Sequence, residues 1–440
     1  MAQAPLSASD DVHTTYSRRT PGSRSLYERA LRDLPGGETR TSTFFQPHPL
    51  FMTRGEGALL FDQDGNRYLD FLGNYTSLVH GHAHPDITAA ITRQLGLGSA
   101  HGACTEAQNR LAALIKSRVR SVERIRFANS GTEAVMQSVR TARAWTGRPR
   151  IVKMVGGYHG SWDPVMVGMK GPDHNTPGLS PVLADETLLT TFNDPEAAVR
   201  LVSEHEDEIA AIIVEPMLGS TGAIPADREF LLTLRNLADE TGALLVFDEI
   251  QTFRLNPGGA QSVYGIAPDL TTFAKVIGGG LPIGAWGGRA DAMDQYDPRR
   301  PGFISHPGTF NGNALAMVAG TVALELLSES EIDRINGLGD RLRSGLGEAA
   351  ADAGDVVSVT GMGSMAQVHF TSGPVTDFAS AASADKARAA RLHLALINEG
   401  VFTSPTCRFA VSTPMSDGEI DEALRGARAA FQALGQPQAA

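Results

Sequence analysis

Short apolar runs alternate with helix-like patterns along the chain from about residue 105. The apolar runs have the length of single strands: RIRFAN, RIVKMV, AAIIVEP, ALLVFDE and LTTFAK. Stretches between them, such as EAQNRLAALIKSRV and REFLLTLRNLADETG, repeat apolar residues with helical spacing. Continuous apolar strands separated by helices are typical of a mostly parallel sheet that is covered by helices on both faces. The sequence therefore predicts an α/β fold.

The texture of the sequence divides the chain into four segments. Residues 1–24 are rich in Ser, Thr, Pro and Asp without periodicity, and they predict a mobile tail. Residues 25–75 contain an Asp-Gly-Asn hairpin signal and are predicted to join a smaller α+β domain formed by residues 313–440. Residues 76–312 hold the alternating pattern and are predicted to form the large domain.

Composition excludes several classes of partner. The formal net charge is −11 and no dense run of Lys and Arg occurs, which argues against nucleic acid and against an anionic membrane surface. The two cysteines make no disulfide framework, and this is typical of a reducing compartment. The N-terminus has no apolar core of a signal peptide, and the longest apolar stretch is shorter than a membrane span needs. We therefore expect a soluble cytoplasmic protein.

Polar residues follow the predicted strands at the point where each strand ends. In an open parallel sheet the carboxyl ends of the strands lie at one edge, and ligands bind beyond that edge. SGTEA follows the first run, GGYHG follows the second, and Asp248 and Lys275 end two others. Ser130 with Glu133 three residues later matches a capping box, and a helix that begins at Gly131 offers backbone N–H groups to a phosphate.

Asp248 and Lys275 are charged residues in segments that should be buried. A buried carboxylate needs a cation or hydrogen-bond donors, and either an arginine or a protonated pyridine nitrogen would serve Asp248. Lys275 is one of five lysines in the chain, and a desolvated lysine can form a Schiff base with an aldehyde. A phosphate cradle, an aromatic side chain at Tyr158, a buried acid and a buried lysine are together what pyridoxal 5′-phosphate requires.

Six stretches resemble class III aminotransferases of fold type I in both order and spacing: NSGTEA, GGYHG, VEPM, FDEIQT, DLTTFAKVIGGGLPIGAWGG and HPGTFNGNALAM. The resemblance runs from about Gly36 to the C-terminus. It implies a large domain built on a mostly parallel, seven-stranded sheet and a smaller α+β domain. It also implies pyridoxal 5′-phosphate as the cofactor and a homodimer with shared active sites.

The same resemblance implies roles for single residues. Lys275 would bind the cofactor's aldehyde and carry a proton, Asp248 would keep the ring nitrogen protonated, and Tyr158 would stack on the ring. These three are the predicted catalytic residues. The other predicted cofactor-binding residues are Ser130, Gly131 and Thr132 at the phosphate, Thr309 from the neighbouring subunit, Glu215 near the cofactor's hydroxyl, and Ile250 on the opposite ring face.

Two arginines are the candidates for substrate binding. Arg40 matches the arginine that holds the carboxylate in the β-amino acid enzymes of the family, and a guanidinium suits a carboxylate geometrically. Arg408 is the second candidate, although it stands a residue or two later than the family's arginine after FTSP.

The motifs favour one branch of the family over another. GGETRTSTFFQPHPL, NYTSLVHGHAHP, HPGTFN and FTSP resemble β-amino acid aminotransferases, whereas GGAQSVYGIAPDLTT resembles glutamate-1-semialdehyde aminomutases. We expect transfer of the amino group of an amino acid, preferably a β-amino acid such as β-phenylalanine, to an α-keto acid. The alternatives are a 2,1-aminomutase, which is an isomerase, and a non-catalytic or nucleotide-binding protein on the same fold.

Three further stretches carry weaker signals. HGHAHP places three histidines together without a paired carboxylate or cysteine, and we predict no metal site. GMGSMA fits a dinucleotide fingerprint, but the strand-like AQVHF follows it, so we predict a turn. The Gly- and Pro-rich segment at residues 159–187 is predicted to be a mobile loop over the active site.

Overall fold

The computed structural model describes residues 12–172 and 176–435 of the 440-residue chain. The α-helices of these residues, numbered along the chain, are α1 Val12–Arg19, α2 Pro21–Ala30, α3 Gly73–Thr76, α4 Pro85–Leu95, α5 Glu106–Arg118, α6 Gly131–Thr146, α7 Asp163–Met166, α8 Leu183–Glu186, α9 Pro195–Glu204, α10 Arg228–Thr241, α11 Ala260–Tyr264, α12 Ala290–Met293, α13 Ala314–Leu326, α14 Glu329–Asp352, α15 Phe378–Ala382, α16 Lys386–Asn398 and α17 Asp417–Ala433.

The strands are β1 Met52–Glu56, β2 Leu59–Asp62, β3 Arg67–Asp70, β4 Arg124–Ala128, β5 Arg150–Met154, β6 Thr187–Thr190, β7 Ile209–Val214, β8 Met217–Leu218, β9 Ile224–Pro225, β10 Leu244–Asp248, β11 Leu270–Ala274, β12 Gly284–Gly288, β13 Ser358–Thr360, β14 Met365–His369, β15 Val401–Phe402 and β16 Arg408–Ala410.

Seven of these strands form the central sheet, in the order β4–β12–β11–β10–β7–β5–β6. Strands β11, β10, β7, β5 and β6 are parallel to one another, whereas β12 is antiparallel to both of its neighbours, β4 and β11. The prediction of an α/β fold with a mostly parallel, seven-stranded sheet is confirmed. Since β4 is antiparallel to β12, it runs in the same direction as β11, and the carboxyl ends of β4, β5, β7, β10 and β11 lie at one edge.

Helices on both faces explain why the strands are apolar throughout. Every residue of β7, β10 and β11 is buried. Helix α6 covers one face, where Val135 and Val139 join Ile213 in one apolar cluster. Helix α10 covers the other face, where Phe230 joins Ile212 in a second cluster. Neighbouring residues of β7 thus enter opposite cores, as the pleat of a strand requires.

The N-terminal strands form a separate sheet with a strand from near the C-terminus. β1, β2 and β3 are antiparallel neighbours, and the predicted hairpin at residues 64–66 is confirmed. β15 adds to β3 in parallel, with Val401 opposite Leu69. This pairing supports the proposal that residues 25–75 join the C-terminal domain, whereas the domain boundaries themselves stay a prediction.

Residues 12–24 correct one expectation, because they form α1 and the start of α2 rather than a mobile tail. Tyr16 is fully buried, and its hydroxyl donates to the His48 carbonyl over 2.7 Å. The Asp64 carboxylate accepts from the backbone N–H groups of Gly22, over 2.5 Å, and Ser23, over 2.9 Å. Although this segment lacks apolar periodicity, hydrogen bonds hold it against the turn between β2 and β3. Residues 1–11 and 436–440 lie outside the described part of the chain.

Two other expectations concern single segments. Residues 361–364 of the GMGSMA stretch form the turn between the antiparallel strands β13 and β14, as predicted, and residues 365–366 begin β14. Residues 173–175 of the predicted mobile loop lie outside the described residues, and its mobility stays a prediction. Within residues 12–172 and 176–435, no helix combines the length and apolarity that crossing a membrane requires.

Helix α13 packs against the turn that carries Lys275, and Gly320 is the point of closest approach. A Cβ atom added to Gly320 would lie 1.9 Å from the Ile277 carbonyl oxygen, so a side chain there must displace the turn. Close approach of two backbones is a common reason for glycine inside a helix, where it otherwise lowers stability.

We expect Gly320→Ala to lower the free energy of unfolding by about 1–3 kcal/mol, because overpacking forces backbone shifts. A matched control is Gly337→Ala in α14, where the added Cβ meets nothing within 4 Å. This control should be neutral or stabilising by up to about 1 kcal/mol, because alanine favours helix. Urea midpoints of both variants measure the difference, and equal losses would contradict the packing role of Gly320.

Candidate active site

Lys275 stands at the carboxyl end of β11, where it begins the short 3-10 turn Lys275–Gly278. Its backbone φ is +52°, a left-handed conformation that a non-glycine residue adopts at a cost of about 1–3 kcal/mol. Burial lowers the pKa of its amine to about 8; Asp248 and Glu215 oppose this shift, and Arg408 adds to it. Lys275 therefore supplies a neutral, nucleophilic amine more readily than an exposed lysine does.

Asp248 ends β10 and is buried, with only 3% of its surface exposed. Its Oδ1 accepts from the Thr272 hydroxyl and from the Ile250 backbone N–H, both over 3.1 Å. Its Oδ2 lies 2.8 Å from Nδ1 of His159, which is fully buried. Among the described residues, no arginine lies within 4 Å of this carboxylate. Of the two partners that the sequence leaves open, the arginine is thus not present.

Glu215 follows β7 and holds the loop on which Tyr158 lies. Its Oε1 accepts from the Tyr158 backbone N–H over 3.0 Å, and its Oε2 accepts from Gly219 N–H over 3.1 Å. Burial raises the pKa of Glu215, His159 lowers it and Asp248 raises it. Tyr158 is 39% exposed, so a ligand can reach this residue. Glu215 therefore positions the loop through the backbone.

The start of α6 offers the predicted phosphate cradle. Ser130 is its N-cap and accepts from Glu133 N–H over 3.2 Å, whereas the Glu133 carboxylate accepts from Asn129 N–H over 2.6 Å, so one of the two hydrogen bonds of the predicted capping box is present. The Thr132 hydroxyl accepts from the Ser161 backbone N–H over 3.2 Å, which ties α6 to the Tyr158 loop. A Cβ on Gly131 would lie 2.7 Å from Cδ1 of Ile250. The missing side chain at Gly131 thus gives room to Ile250, a contact that the sequence does not reveal.

Arg40 and Arg408 both lie near the ring of Tyr75. Their guanidinium carbons are 5.6 Å and 5.8 Å from its centroid. Arg40 is exposed and donates to Asn74 Oδ1 over 2.8 Å. Arg408 is buried and donates to the Gly219 carbonyl, its Nε has no hydrogen-bond partner, and no carboxylate of the described residues lies within 4 Å of it. The structure therefore brings the two predicted substrate arginines to one aromatic ring.

The sequence analysis does not identify three residues that the structure places near the candidate site. His159 holds Asp248 and keeps an unpartnered, buried Nε2. Gln251 is buried with an unpartnered Oε1, and its amide would collide with a Cβ on Gly219. The ring of Tyr75 lies near both guanidinium groups. The signals were available for His159 and Gln251, because both stand inside motifs quoted for the family resemblance, GGYHG and FDEIQT.

Lys153 is a fourth missed residue, in the middle of the apolar strand β5. It is fully buried, and its Nζ donates to the Val167 carbonyl over 2.7 Å. Burial lowers the pKa of Lys153 to about 7, against the opposing effect of Glu215. Next to this contact, Gly156 N–H donates to the Gly168 carbonyl over 2.8 Å. Together the two bonds close the loop that carries Tyr158 and His159.

Thr309 is not joined to the phosphate cradle within one chain. It is exposed and makes no hydrogen bond to Ser130 or Thr132 in the described residues. Asn311, two residues later, accepts from Asn129 Nδ2 over 2.9 Å, so this segment does reach the start of α6. The role of Thr309 at the phosphate of a second subunit stays a prediction.

The three histidines of HGHAHP have separate surroundings. His80 Nε2 lies 2.7 Å from the Ala323 carbonyl, and burial lowers its pKa to about 4. His82 Nε2 lies 2.6 Å from Asp70 Oδ2. His84 precedes α4 and its ring packs edge-on against His80. Within the described ranges, no three His, Cys, Asp or Glu side chains are grouped as metal ligands.

The sequence profile described as Aminotransferase class-III matches residues 43–431. The chain belongs to this family. Among the class III aminotransferases and their relatives, it is similar to a glutamate-1-semialdehyde 2,1-aminomutase from Rhodopirellula baltica, with 39% identity over 94% of this chain and 97% of that protein. The family predicted from the sequence motifs is therefore confirmed.

Solved structures give the same fold. An omega-transaminase from Sphaerobacter thermophilus is 42% identical, with 95% of this chain and 99% of that chain covered and a TM-score of 0.92. A β-phenylalanine aminotransferase from Variovorax paradoxus is 38% identical, with 96% of each chain covered and a TM-score of 0.89. The curated aminomutase relative nevertheless favours the isomerase alternative over the predicted aminotransferase reaction.

Replacing Arg408 should change the reactivity of Lys275. In wild-type protein without cofactor, the Lys275 amine should titrate near its pKa of about 8. Arg408→Met removes a cation that disfavours the protonated amine, so the pKa of Lys275 should rise. Competitive labelling with an amine-reactive reagent, followed by peptide mass spectrometry across pH, measures it. The control is Arg341→Met, an exposed arginine paired with Asp417. An unchanged titration in Arg408→Met would contradict the coupling.

Lys153 should make stability depend on pH. Its folded-state pKa of about 7 is below the ordinary lysine value of 10.5, so the unfolded chain binds more protons between these values. The stability of the wild type relative to Lys153→Met should therefore rise as pH increases from about 7 to 10. Melting temperatures of both proteins at several pH values test this, with exposed Lys116→Met as the control. A pH-independent difference for Lys153→Met would contradict burial of its amine.

Proposed function

We propose that this enzyme transfers the amino group of a carboxylate-bearing substrate, preferably a β-amino acid such as β-phenylalanine, to an α-keto acid. It is a class III aminotransferase family enzyme and its cofactor is pyridoxal 5′-phosphate, which solved relatives contain. When bound, this cofactor supplies an aldehyde that condenses with amines and a ring that withdraws electrons. The unpartnered polar atoms of His159 and Gln251 at the strand edge support the fit of a polar ligand here.

Different residues would contact the phosphate, the ring nitrogen and the two ring faces of the cofactor. The backbone at Ser130, Gly131 and Thr132 would bind the phosphate at the positive end of α6. Asp248, held in place by His159, would accept a hydrogen bond from the protonated ring nitrogen. The remaining proposed contacts are Tyr158 and Ile250 on the two ring faces, Glu215 through the Tyr158 loop, and Thr309 of a second copy of the chain in a homodimer.

Lys275 would carry the proton in the reaction. Its amine has a pKa of about 8, close to neutral pH, so the nitrogen can take a proton from the substrate carbon and return it. The left-handed turn at Lys275 fixes where that nitrogen lies, and the packing of Gly320 against the turn supports it. A base that is held in one position with a matched pKa is what repeated proton transfer requires.

The buried, unpaired charge of Arg408 is the observation that carries the proposal. A guanidinium without a counter-ion in a protein interior is costly, and an anionic substrate group relieves this cost. Arg408 contributes to the low pKa of Lys275, so its charge acts at the reacting centre. A second carboxylate site at Arg40, near the same Tyr75 ring, would give the amino acid and the keto acid two cations to bind.

A second candidate is the glutamate-1-semialdehyde 2,1-aminomutase reaction, which the names of the curated relatives favour over the aminotransferase reaction. That reaction returns the amine to the neighbouring carbon and must hold a molecule with amines on both carbons. Glutamate-1-semialdehyde also bears a carboxylate, so the buried guanidinium of Arg408 suits either substrate. What supports the aminotransferase reaction is the similarity to an omega-transaminase and to a β-phenylalanine aminotransferase, which are 42% and 38% identical to this chain.

Product counts in the absence of a keto acid separate the two reactions. With β-phenylalanine and cofactor-loaded enzyme, a transferase releases one keto acid per site and then stops until an α-keto acid is added. With glutamate-1-semialdehyde, an isomerase makes many equivalents of the isomeric amino ketone without an acceptor. We expect the first pattern, and Arg408→Met should raise the KM for the keto acid by about tenfold or more. Multiple turnover of the semialdehyde without acceptor would overturn the proposal in favour of the aminomutase.

A further inference from the structure

The four residues of α3, Gly73–Thr76, have left-handed backbone conformations, and we call this segment the Tyr75 turn. Their φ values are +52°, +47°, +56° and +72° in chain order. Asn74, Tyr75 and Thr76 are not glycines, so each of them adopts this conformation at a cost in free energy. Such backbone persists only where the surrounding structure holds it, and it is concentrated at functional sites. The contacts that hold the Tyr75 turn therefore bear on the function of the protein.

The Tyr75 turn contacts both arginines that we assign to substrate binding. Oδ1 of Asn74 accepts from the Arg40 guanidinium over 2.8 Å. The ring centroid of Tyr75 lies 5.6 Å from the guanidinium carbon of Arg40 and 5.8 Å from that of Arg408. The Tyr75 hydroxyl also donates to the carbonyl of Ser42, which belongs to the segment that carries Arg40. A shift of the turn would therefore move the neighbours of both cations together.

The carboxylate of Asp70 fixes the start of the Tyr75 turn. Asp70 is 3% exposed, and its Oδ1 accepts from the backbone N–H groups of Leu72, over 2.9 Å, and Gly73, over 3.0 Å. Its Oδ2 lies 2.6 Å from Nε2 of His82. A carboxylate accepts hydrogen bonds and an imidazole N–H donates them, so we assign the proton of this contact to Nε2. Asp70 is thus bound on one side to the turn and on the other side to His82.

His82 is itself held by the hairpin of β1 and β2. The Gly57 N–H donates to the His82 carbonyl over 2.9 Å, and the His82 N–H donates to the Gly57 carbonyl over 2.8 Å. The imidazole packs against Gly55 in β1, where an added Cβ would lie 2.4 Å from the ring Cγ. These contacts fix the ring, so the hydrogen bond from His82 to Asp70 joins the turn to the hairpin.

We propose that Asp70 and His82 are positioning residues, which set the affinity of the active site for a carboxylate through the Tyr75 turn. The inference rests on the proposed function, because that function assigns carboxylate binding to Arg40 and Arg408. Asp70 and His82 act without touching the substrate. Loss of the His82 donor leaves Oδ2 of Asp70 buried without a partner, which is unfavourable, so the carboxylate shifts. The start of the turn shifts with it, and the two guanidinium groups lose their arrangement.

3-Phenylpropionate is a suitable probe, because it has the carboxylate and the ring of β-phenylalanine but no amine, and therefore does not react. In calorimetry with cofactor-loaded enzyme, His82→Leu should weaken its binding by about tenfold or more, since a buried acceptor loses its donor. His82→Gln keeps an N–H donor on the side chain, and its affinity should stay within about threefold of the wild type. The control is His101→Leu at an exposed histidine, which should bind the probe as the wild type does.

Gly55→Ala tests the same contact without removing a donor. The added methyl group would displace the His82 ring from Asp70, so the probe should again bind about tenfold or more weakly. The matched control is Gly347→Ala in α14, where the added Cβ meets nothing within 4 Å. Uptake of pyridoxal 5′-phosphate, measured by absorbance, should be the same in all variants, because the proposed cofactor contacts lie on other segments.

Three outcomes would overturn this inference: no binding of the probe to the wild type at millimolar concentration, wild-type affinity in both His82→Leu and Gly55→Ala, or a parallel loss of cofactor uptake, which indicates a general loss of structure. Because Gly55→Ala keeps every polar group, it serves as the test if His82→Leu does not fold. Binding of the probe involves no amino transfer, whereas release of keto acid from β-phenylalanine does. The two measurements therefore separate failure of this inference from failure of the proposed function.

Discussion

The buried side chains of Asp248, Glu215 and Arg408 and the half-buried Lys275 meet at the carboxyl edge of the central sheet, and the cost of desolvating these four groups governs the architecture of the site. Asp248 is compensated by His159, Thr272 and a backbone N–H, and Glu215 by two backbone N–H groups. Lys275 is accommodated by a lowered pKa. Arg408 donates only to the Gly219 carbonyl oxygen, so it is the one of these four that still needs a counter-ion. The protein alone therefore leaves the charge of Arg408 without a counter-ion, and an anionic ligand would supply one.

Some of this arrangement could be predicted because it is encoded locally. Lys275 and Asp248 stand at the ends of continuous apolar runs, and parallel strands bring such ends to one edge whatever the loops do. Ser130 caps α6 through a contact three residues away, which spacing alone reveals. The family resemblance added the cofactor and the order of the motifs. In each case the information lay within a few residues or in the strand pattern.

The rest depends on contacts between distant parts of the chain. His159 meets Asp248 across 89 residues, and Arg408 meets Gly219 across 189. From the sequence alone, Lys153 would be taken for a solvent-exposed strand residue. In the structure its amine donates to the Val167 carbonyl. Residues 12–24 have no apolar periodicity, yet their backbone bonds to Asp64 and their one tyrosine is buried. The local sequence does not identify such partners, because these residues come into contact only when the chain has folded.

The pairing of β3 with β15 also has a consequence for biosynthesis. The hairpin of β2 and β3 is synthesised well before its parallel neighbour Val401–Phe402, which follows more than three hundred residues later. At about 5–20 residues per second, the nascent hairpin waits roughly 15–70 s for the strand that completes its sheet. During that interval β3 presents an open edge, and such edges are sites of wrong pairing. The hairpin is therefore exposed to wrong pairing until the chain has been synthesised as far as β15.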